Sequence, residues 1–180
     1  MSHRVNVEWM GEQVETLEDL LRPGLRAVCI GINPAPTSVQ AGHYYQGRLG
    51  QQFYERLRRV ALLPHASGWE DDLAFEIGIG FTDIVKRPTA KASELRPDEY
   101  AHGRDLLRAK LHATEPGLVI FTFKKTTEVL LGAIAGNGLI AGRELAGAPV
   151  FVMPGPYAPR GEVETRLGEL HGLLDHPRPG

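Results

Sequence analysis

The chain has 180 residues, of which 42% are hydrophobic and 23% charged, a balance typical of a soluble globular protein, so we expect a single domain over residues 1–180. No run of about 18 apolar residues occurs, which excludes a membrane-spanning helix. The polar N-terminal segment lacks a secretory signal, so a cytoplasmic location is expected. The net charge of −2 argues against a strongly basic nucleic-acid binder, and the single Cys29 excludes an intramolecular disulfide and a cysteine-ligated iron–sulfur cluster.

The apolar spacing predicts strands that alternate with helices along most of the chain. In the first half of the chain, we predict a helix over 14–21, a strand over 25–30, a long loop over 32–50, a helix over 51–63, an irregular stretch over 64–74 and a short extended segment leading into a loop within 75–89. In the second half, we predict a helix over 97–113, a strand over 117–123, a helix over 124–134, a glycine-rich connection over 136–148 with at most one short strand, a strand over 149–153 and a helix over 161–174. This order predicts an α/β fold with a parallel sheet covered by helices on both faces. The ligand crevice of such a sheet lies beyond the carboxyl ends of its strands, here near residues 31–34, 122–124 and 153–155.

Four blocks of sequence stand out along the chain, and the first and the last of them lie at predicted strand ends. They are Gly31-Ile32-Asn33-Pro34, Gly42-His43-Tyr44-Tyr45, the stretch 78–89 (GIGFTDIVKRPT) and Met153-Pro154. In this order they resemble the mismatch-specific thymine/uracil-DNA glycosylases of the uracil-DNA glycosylase superfamily, over residues 28–160. The resemblance implies a three-layer α/β/α sandwich with a short, mainly parallel sheet, and an enzyme that flips a nucleotide out of DNA and hydrolyses its base–sugar bond. It implies no metal and no organic cofactor, and the sequence shows no clustered metal ligands.

The resemblance also assigns roles to individual residues. Asn33 matches the asparagine that positions the attacking water, and an amide suits this task because it both donates and accepts hydrogen bonds. Tyr45 matches the aromatic residue that stacks on the flipped base, a contact worth about 1–3 kcal/mol. Three further side chains are expected near the base. They are Ile32, Tyr44 and Thr89, with His43 as a second-rank candidate that is more often structural.

The chain departs from the family pattern at two positions. Asp83 stands where vertebrate-type relatives carry asparagine and bacterial mismatch-type relatives often carry lysine. Its carboxylate is either catalytic, as a base or a negative charge beside the sugar, or it is a turn residue paired with Lys86 or Arg87. Gly155 replaces the serine that usually follows the proline of the second active-site loop, but its backbone N–H can still bind phosphate.

We expect DNA to contact this second loop and several basic residues. The predicted DNA-binding residues are Met153, Pro154, Gly155, Tyr157, Arg160, Lys86, Arg87 and Lys124. Either Tyr157 or Arg160 is the wedge that fills the gap left by the flipped nucleotide. Each basic cluster can instead be a solvated face.

The sequence thus predicts a monomeric, monofunctional DNA glycosylase that acts on uracil in DNA. Mismatched thymine and other damaged bases stay open as further substrates. Two alternatives remain, namely a non-catalytic binder of abasic or mismatched DNA on the same fold, and a nucleoside hydrolase that uses the same crevice. The absence of a Gly-rich G-x-x-x-x-G-K loop argues against an enzyme that acts on nucleoside triphosphates.

Overall fold

The computed structural model describes residues 1–175. Its strands are β1 (Arg4–Trp9), β2 (Glu12–Leu17), β3 (Ala27–Gly31), β4 (Ile79–Asp83), β5 (Val119–Phe121), β6 (Gly138–Leu145) and β7 (Ala148–Val152). Its helices are α1 (Pro36–Ala41), α2 (Arg48–Arg59), α3 (Glu70–Glu76), α4 (Pro97–Thr114), α5 (Lys124–Leu131) and α6 (Arg160–Asp175), with a 3₁₀ turn over Ala92–Glu94. None of these helices combines the length and apolar character that a bilayer span requires.

Five strands form the central sheet in the order β4-β3-β5-β7-β6. Strands β4, β3, β5 and β7 pair in parallel with their neighbours, and β6 runs antiparallel to β7 at the edge. Every residue of β3, β4, β5 and β7 is buried, as expected for parallel strands covered on both faces. The sheet therefore confirms the predicted mixed α/β fold with a mainly parallel sheet.

Two apolar clusters occupy the two faces of this sheet. On one face, Cys29 and Phe81 pack with buried residues of α2, α3 and α6. On the other face, Ile30 and Phe121 pack with buried residues of α4 and α5. The alternation of side chains along each strand sends successive residues to opposite faces, and this produces the three layers. Cys29 lies fully buried in the core.

The N-terminal segment differs from the prediction. Residues 14–21 are not a helix, because β2 pairs antiparallel with β1 in a separate hairpin. The turn of this hairpin, Met10-Gly11, has φ angles of 52° and 86°, the two positive values that a tight primed turn needs. Leu17 and Leu20 reach the core from an extended chain, and Leu20 forms a bridge to Phe81. Their spacing fits a helix equally well, so the pattern alone misassigned the element.

Three further elements lie where the sequence predicted irregular chain. The loop over 32–50 contains the short helix α1, and α2 begins at Arg48. The stretch 64–74 contains the start of α3, whose first turn carries Glu70, Asp71 and Asp72, residues that favour a helix N-terminus. The connection over 136–148, for which at most one short strand was predicted, contains the whole of the eight-residue β6, whose pairing shifts register between Leu139 and Glu144. Short helices, and strands with irregular pairing, show only a weak periodic pattern of apolar residues, so the sequence pattern did not predict them.

Candidate active site

A cavity of about 580 Å³ opens at the carboxyl ends of the parallel strands. Its walls come from the turn after β3, the end of β4, the residues after β5 and β7, and the segment 44–56. Eight of the predicted site residues line it, namely Ile32, Asn33, Tyr44, Tyr45, Asp83, Thr89, Met153 and Pro154. The crevice therefore lies where the parallel-sheet rule places a ligand.

Asp83 is the last residue of β4 and is only 2% exposed. Both of its carboxylate oxygens are buried, and within residues 1–175 neither has a hydrogen-bond partner. Burial raises the pKa of Asp83 to about 7; Asp19 adds to the rise, while Lys86 and Lys110 oppose it. Asp83 is thus not the turn residue paired with Lys86 or Arg87 that was the alternative interpretation. It is an unpaired carboxyl group that faces the cavity.

Gly31 brings the residues of this site close together. It pairs with Asp83 across β3 and β4. A Cβ atom at Gly31 would lie 2.1 Å from Asp83 Oδ1 and 3.3 Å from Tyr45 Cε1. The carboxylate and the tyrosine ring therefore converge above the bare backbone of Gly31, and a side chain there would displace one of them.

Tyr45 contributes an aromatic ring that is fixed by other rings. Its ring centroid lies 5.3 Å from Phe53, 5.6 Å from Phe81 and 5.7 Å from Tyr44. Its backbone is in the left-handed region, with φ of 58°, which is strained for a bulky residue. The hydroxyl is buried and has no hydrogen-bond partner within residues 1–175. This ring is rigid, lines the cavity, and has the shape to stack on a base.

Asn33 is oriented by two acceptors. Its Nδ2 donates to the Thr89 hydroxyl at 2.8 Å and to the carbonyl of Arg87 at 3.0 Å. The Thr89 hydroxyl donates in turn to the carbonyl of Lys91 at 2.9 Å. Because both amide hydrogens are engaged, the Asn33 side-chain oxygen is the group left to accept a hydrogen bond from a water or a ligand. Thr89 therefore acts at least in part by orienting Asn33.

A family model described as the uracil DNA glycosylase superfamily matches residues 18–164. The chain belongs to this superfamily. Its members are DNA glycosylases, hydrolases that act on uracil-type lesions in DNA. The match covers every predicted site residue and, except for Leu17, every residue that lines the cavity, so the cavity is the candidate active site of this chain.

The second loop of this glycosylase is held by a residue that the sequence analysis missed. Arg56 of α2 is 8% exposed, and its guanidinium donates to the carbonyl of Pro154 at 2.6 Å and to that of Gly155 at 3.0 Å. Gln52, one turn earlier, donates to the carbonyl of Pro156 at 3.3 Å. The sequence does contain a signal for this role, because Arg56 is spaced with Phe53 and Leu57 on the buried side of α2.

The loop exposes the residues predicted to meet DNA. Tyr157 is 84% exposed, and Gly155 and Arg160 are also exposed. Arg160 forms an ion pair with Glu164 at 2.8 Å, whereas Tyr157 presents an uncharged ring to solvent. Lys124 is exposed at the start of α5, and its neighbour Lys125 lines the cavity.

Two of the basic residues predicted to bind DNA are committed elsewhere. Lys86 is 7% exposed and donates to the carbonyl of Leu17 at 3.0 Å and to the carboxylate of Asp19. Arg87 forms two hydrogen bonds with Glu99, at 2.7 and 2.8 Å, and these lower the pKa of Glu99 to about 2. The prediction of free phosphate-binding cations at these positions is wrong, because both charges are neutralised within the fold.

The prediction for His43 also needs correction. This ring is 2% exposed and lies behind the cavity wall, not in it. Its Nδ1 is 2.9 Å from the carboxylate of Asp71, and the ring stacks on Trp69 with centroids 4.1 Å apart. His43 therefore supports the segment that ends in Tyr45 and does not contact a base in the cavity.

Proposed function

We propose that the chain is a monofunctional uracil-DNA glycosylase of the mismatch-specific thymine/uracil type. The single observation that carries this proposal is the buried Asp83 carboxyl group, with both oxygens unpartnered, in the same cavity as Asn33 and Tyr45. The superfamily match supports the reaction class. The ordered sequence blocks around these residues support the mismatch-type branch.

In the proposed reaction, the target nucleotide leaves the duplex and its base stacks on the Tyr45 ring. Base flipping costs a few kcal/mol, and stacking on an aromatic side chain returns about 1–3 kcal/mol. The ring contacts to Phe53 and Phe81 fix Tyr45 in advance. Little further ordering of this residue is then needed when the base arrives.

A water molecule then attacks C1′ of the deoxyribose. A C–O bond forms at C1′, the bond to the base nitrogen breaks, and its electron pair leaves with the base. Asn33 orients the water through its side-chain oxygen, and Asp83 as a carboxylate accepts the water's proton. General-base assistance of this kind contributes about 10²–10⁴-fold. The same negative charge favours the oxocarbenium-like sugar, and backbone N–H groups around the cavity stabilise the departing anionic base.

Three substrates discriminate this proposal from its alternatives. The purified protein is incubated with a labelled duplex carrying a G·U pair, with free deoxyuridine, and with an abasic duplex. Release of uracil from the duplex, with an intact strand until alkali is added, is the expected result. Release from free deoxyuridine alone would indicate a nucleoside hydrolase. Tight binding of abasic DNA without uracil release would indicate a non-catalytic binder.

A further inference from the structure

Four potential metal ligands from three distant segments meet behind the active site. They are His3 at the start of the hairpin, His43 in the segment before Tyr45, and Asp71 and Asp72 in the first turn of α3. One ligand atom from each residue lies within 4.8 Å of all the others. The sequence analysis found no clustered ligands because His3 and Asp72 are 69 positions apart. Only the fold brings the group together.

The contacts within this His–Asp cluster are short and paired. His3 Nε2 is 2.7 Å from Asp72 Oδ1, and His43 Nδ1 is 2.9 Å from Asp71 Oδ1. The two imidazole rings meet edge to face, with centroids 5.1 Å apart. In a tetrahedral zinc site with bonds of about 2.0–2.2 Å, neighbouring ligand atoms are about 3.3–3.6 Å apart. Metal binding would therefore separate the two hydrogen-bonded pairs and draw in any atoms that lie farther apart, within the 4.8 Å span of the cluster.

The cluster also concentrates negative charge where water is scarce. Asp71 is fully buried and His43 is 2% exposed. Asp71 Oδ2 accepts the backbone N–H of Tyr44 at 2.7 Å, which fixes the carboxylate. Besides His3, the α-amino group of Met1 lies 3.2 Å from Asp72, on the exposed side. Two buried or half-buried carboxylates are costly without a compensating charge, and a divalent cation would supply it.

We propose that His3, His43, Asp71 and Asp72 bind one divalent transition-metal ion of the zinc class. Two imidazole nitrogens and two carboxylate oxygens are donors that zinc accepts, and four of them complete a tetrahedral set without an open position for catalysis. None of the four residues lines the cavity. The ion would join the N-terminal hairpin, the segment 42–45 and α3, and so hold Tyr44 and Tyr45 from behind. Its role is stability, independent of the proposed chemistry.

Metal binding is tested on untagged protein that has been stripped with a chelator and returned to buffer. Titration with Zn²⁺ by calorimetry should give one ion per chain, and Co²⁺ should give the visible absorption of a tetrahedral complex. His3→Gln and Asp72→Asn remove ligands from the half-buried side of the cluster, where folding is least at risk. Each should weaken Zn²⁺ binding by at least about tenfold, since even outer-sphere partners cost about 10–100-fold.

The matched control is His112→Gln, an exposed histidine in the last turn of α4, which should bind Zn²⁺ as the wild type does. Zn²⁺ should also raise the melting temperature of the wild type and the control but not of His3→Gln. Uracil release, measured well below the melting temperature, should be the same for His3→Gln and the wild type. The inference is overturned if the wild type binds less than one Zn²⁺ per chain at micromolar concentrations. It is equally overturned if His3→Gln and Asp72→Asn bind as the wild type does.

Discussion

Replacing Asp83 by asparagine should stabilise the fold and slow the reaction at the same time. The substitution keeps the size of the side chain and removes a buried charge that has no hydrogen-bond partner within residues 1–175. A group of this kind is expected to be retained for chemistry at a cost in stability. The two effects are measured separately, so that each tests a different part of the reasoning.

The size of the stability effect depends on pH. Below pH 4 the carboxyl group is protonated in both the folded and the unfolded chain, and wild type and Asp83→Asn should then differ little. Between pH 4 and 7 the unfolded chain loses its proton at a pKa of about 3.9, while the folded chain keeps its proton up to about 7. The free energy of unfolding of the wild type therefore falls over this pH window. The fall is on the order of 4 kcal/mol, since each unit of difference between the two pKa values corresponds to about 1.4 kcal/mol. Above pH 7 the full cost persists.

Urea denaturation of both proteins at pH 4, 6 and 8 measures this difference. The advantage of Asp83→Asn should grow with pH and level off above 7. Single-turnover release of uracil should rise with pH through about 7 in the wild type, because the carboxylate is the active form. In Asp83→Asn it should lack that rise and be at least about tenfold slower. A stability difference that does not change with pH, together with an unchanged rate, would refute the reasoning and leave Asn33 as the only catalytic candidate.

Three further predictions concern the base, the second loop and DNA. Tyr45→Ala should slow uracil release from duplex DNA, because about 1–3 kcal/mol of stacking is lost. The control Tyr54→Phe removes only a buried hydroxyl behind Tyr45 and should retain the wild-type rate. A single-turnover rate of Tyr45→Ala equal to that of the wild type would reject the stacking role. Arg56→Met should weaken abasic-DNA binding, since it removes the hydrogen bonds to the carbonyls of Pro154 and Gly155. It should leave the pH profile of uracil release unchanged, because Asp83 is not altered. A shifted pH profile would show that the effect reaches Asp83. The affinity for abasic DNA should fall as the salt concentration rises, and a plot of log affinity against log salt should have a slope of about 0.9 per phosphate neutralised. Lys124→Ala should reduce that slope, while Lys86→Ala should not. A salt-independent affinity would show that no basic surface contacts the DNA backbone.

The parts of the fold that the sequence predicted are those decided by neighbouring residues. The buried strands β3 and β5 follow from short runs of β-branched and apolar residues. The placement of Asn33 at the carboxyl edge of the sheet follows from its position after a predicted strand, whereas Asp83 was predicted only within a short extended segment and the loop after it. The first hairpin was missed because Val14, Leu17 and Leu20 satisfy a helical period as well as they satisfy an extended chain.

The parts that the sequence did not predict depend on partners far away in the chain. Nothing local to Lys86 shows that Asp19 takes its charge, and Arg87 meets Glu99 only because α4 packs beside the loop after β4. Arg56 was not predicted to hold the second loop, although its neighbours Phe53 and Leu57 place it on the buried side of α2. A charged residue that is spaced with core residues along a helix is therefore better predicted to bind a nearby loop than to form an exposed DNA-binding surface.

The central claim is that this cavity hydrolyses the bond between uracil and deoxyribose in DNA. The most direct measurement quantifies free uracil and abasic sites released from a G·U duplex under single-turnover conditions, by the wild type and by an Asn33→Ala/Asp83→Asn double variant, with a chelator present. We predict equal amounts of uracil and abasic sites from the wild type, and a loss of both in a double variant that is still folded and still binds abasic DNA. No uracil from a folded wild-type protein, or undiminished release by the double variant, would contradict the account.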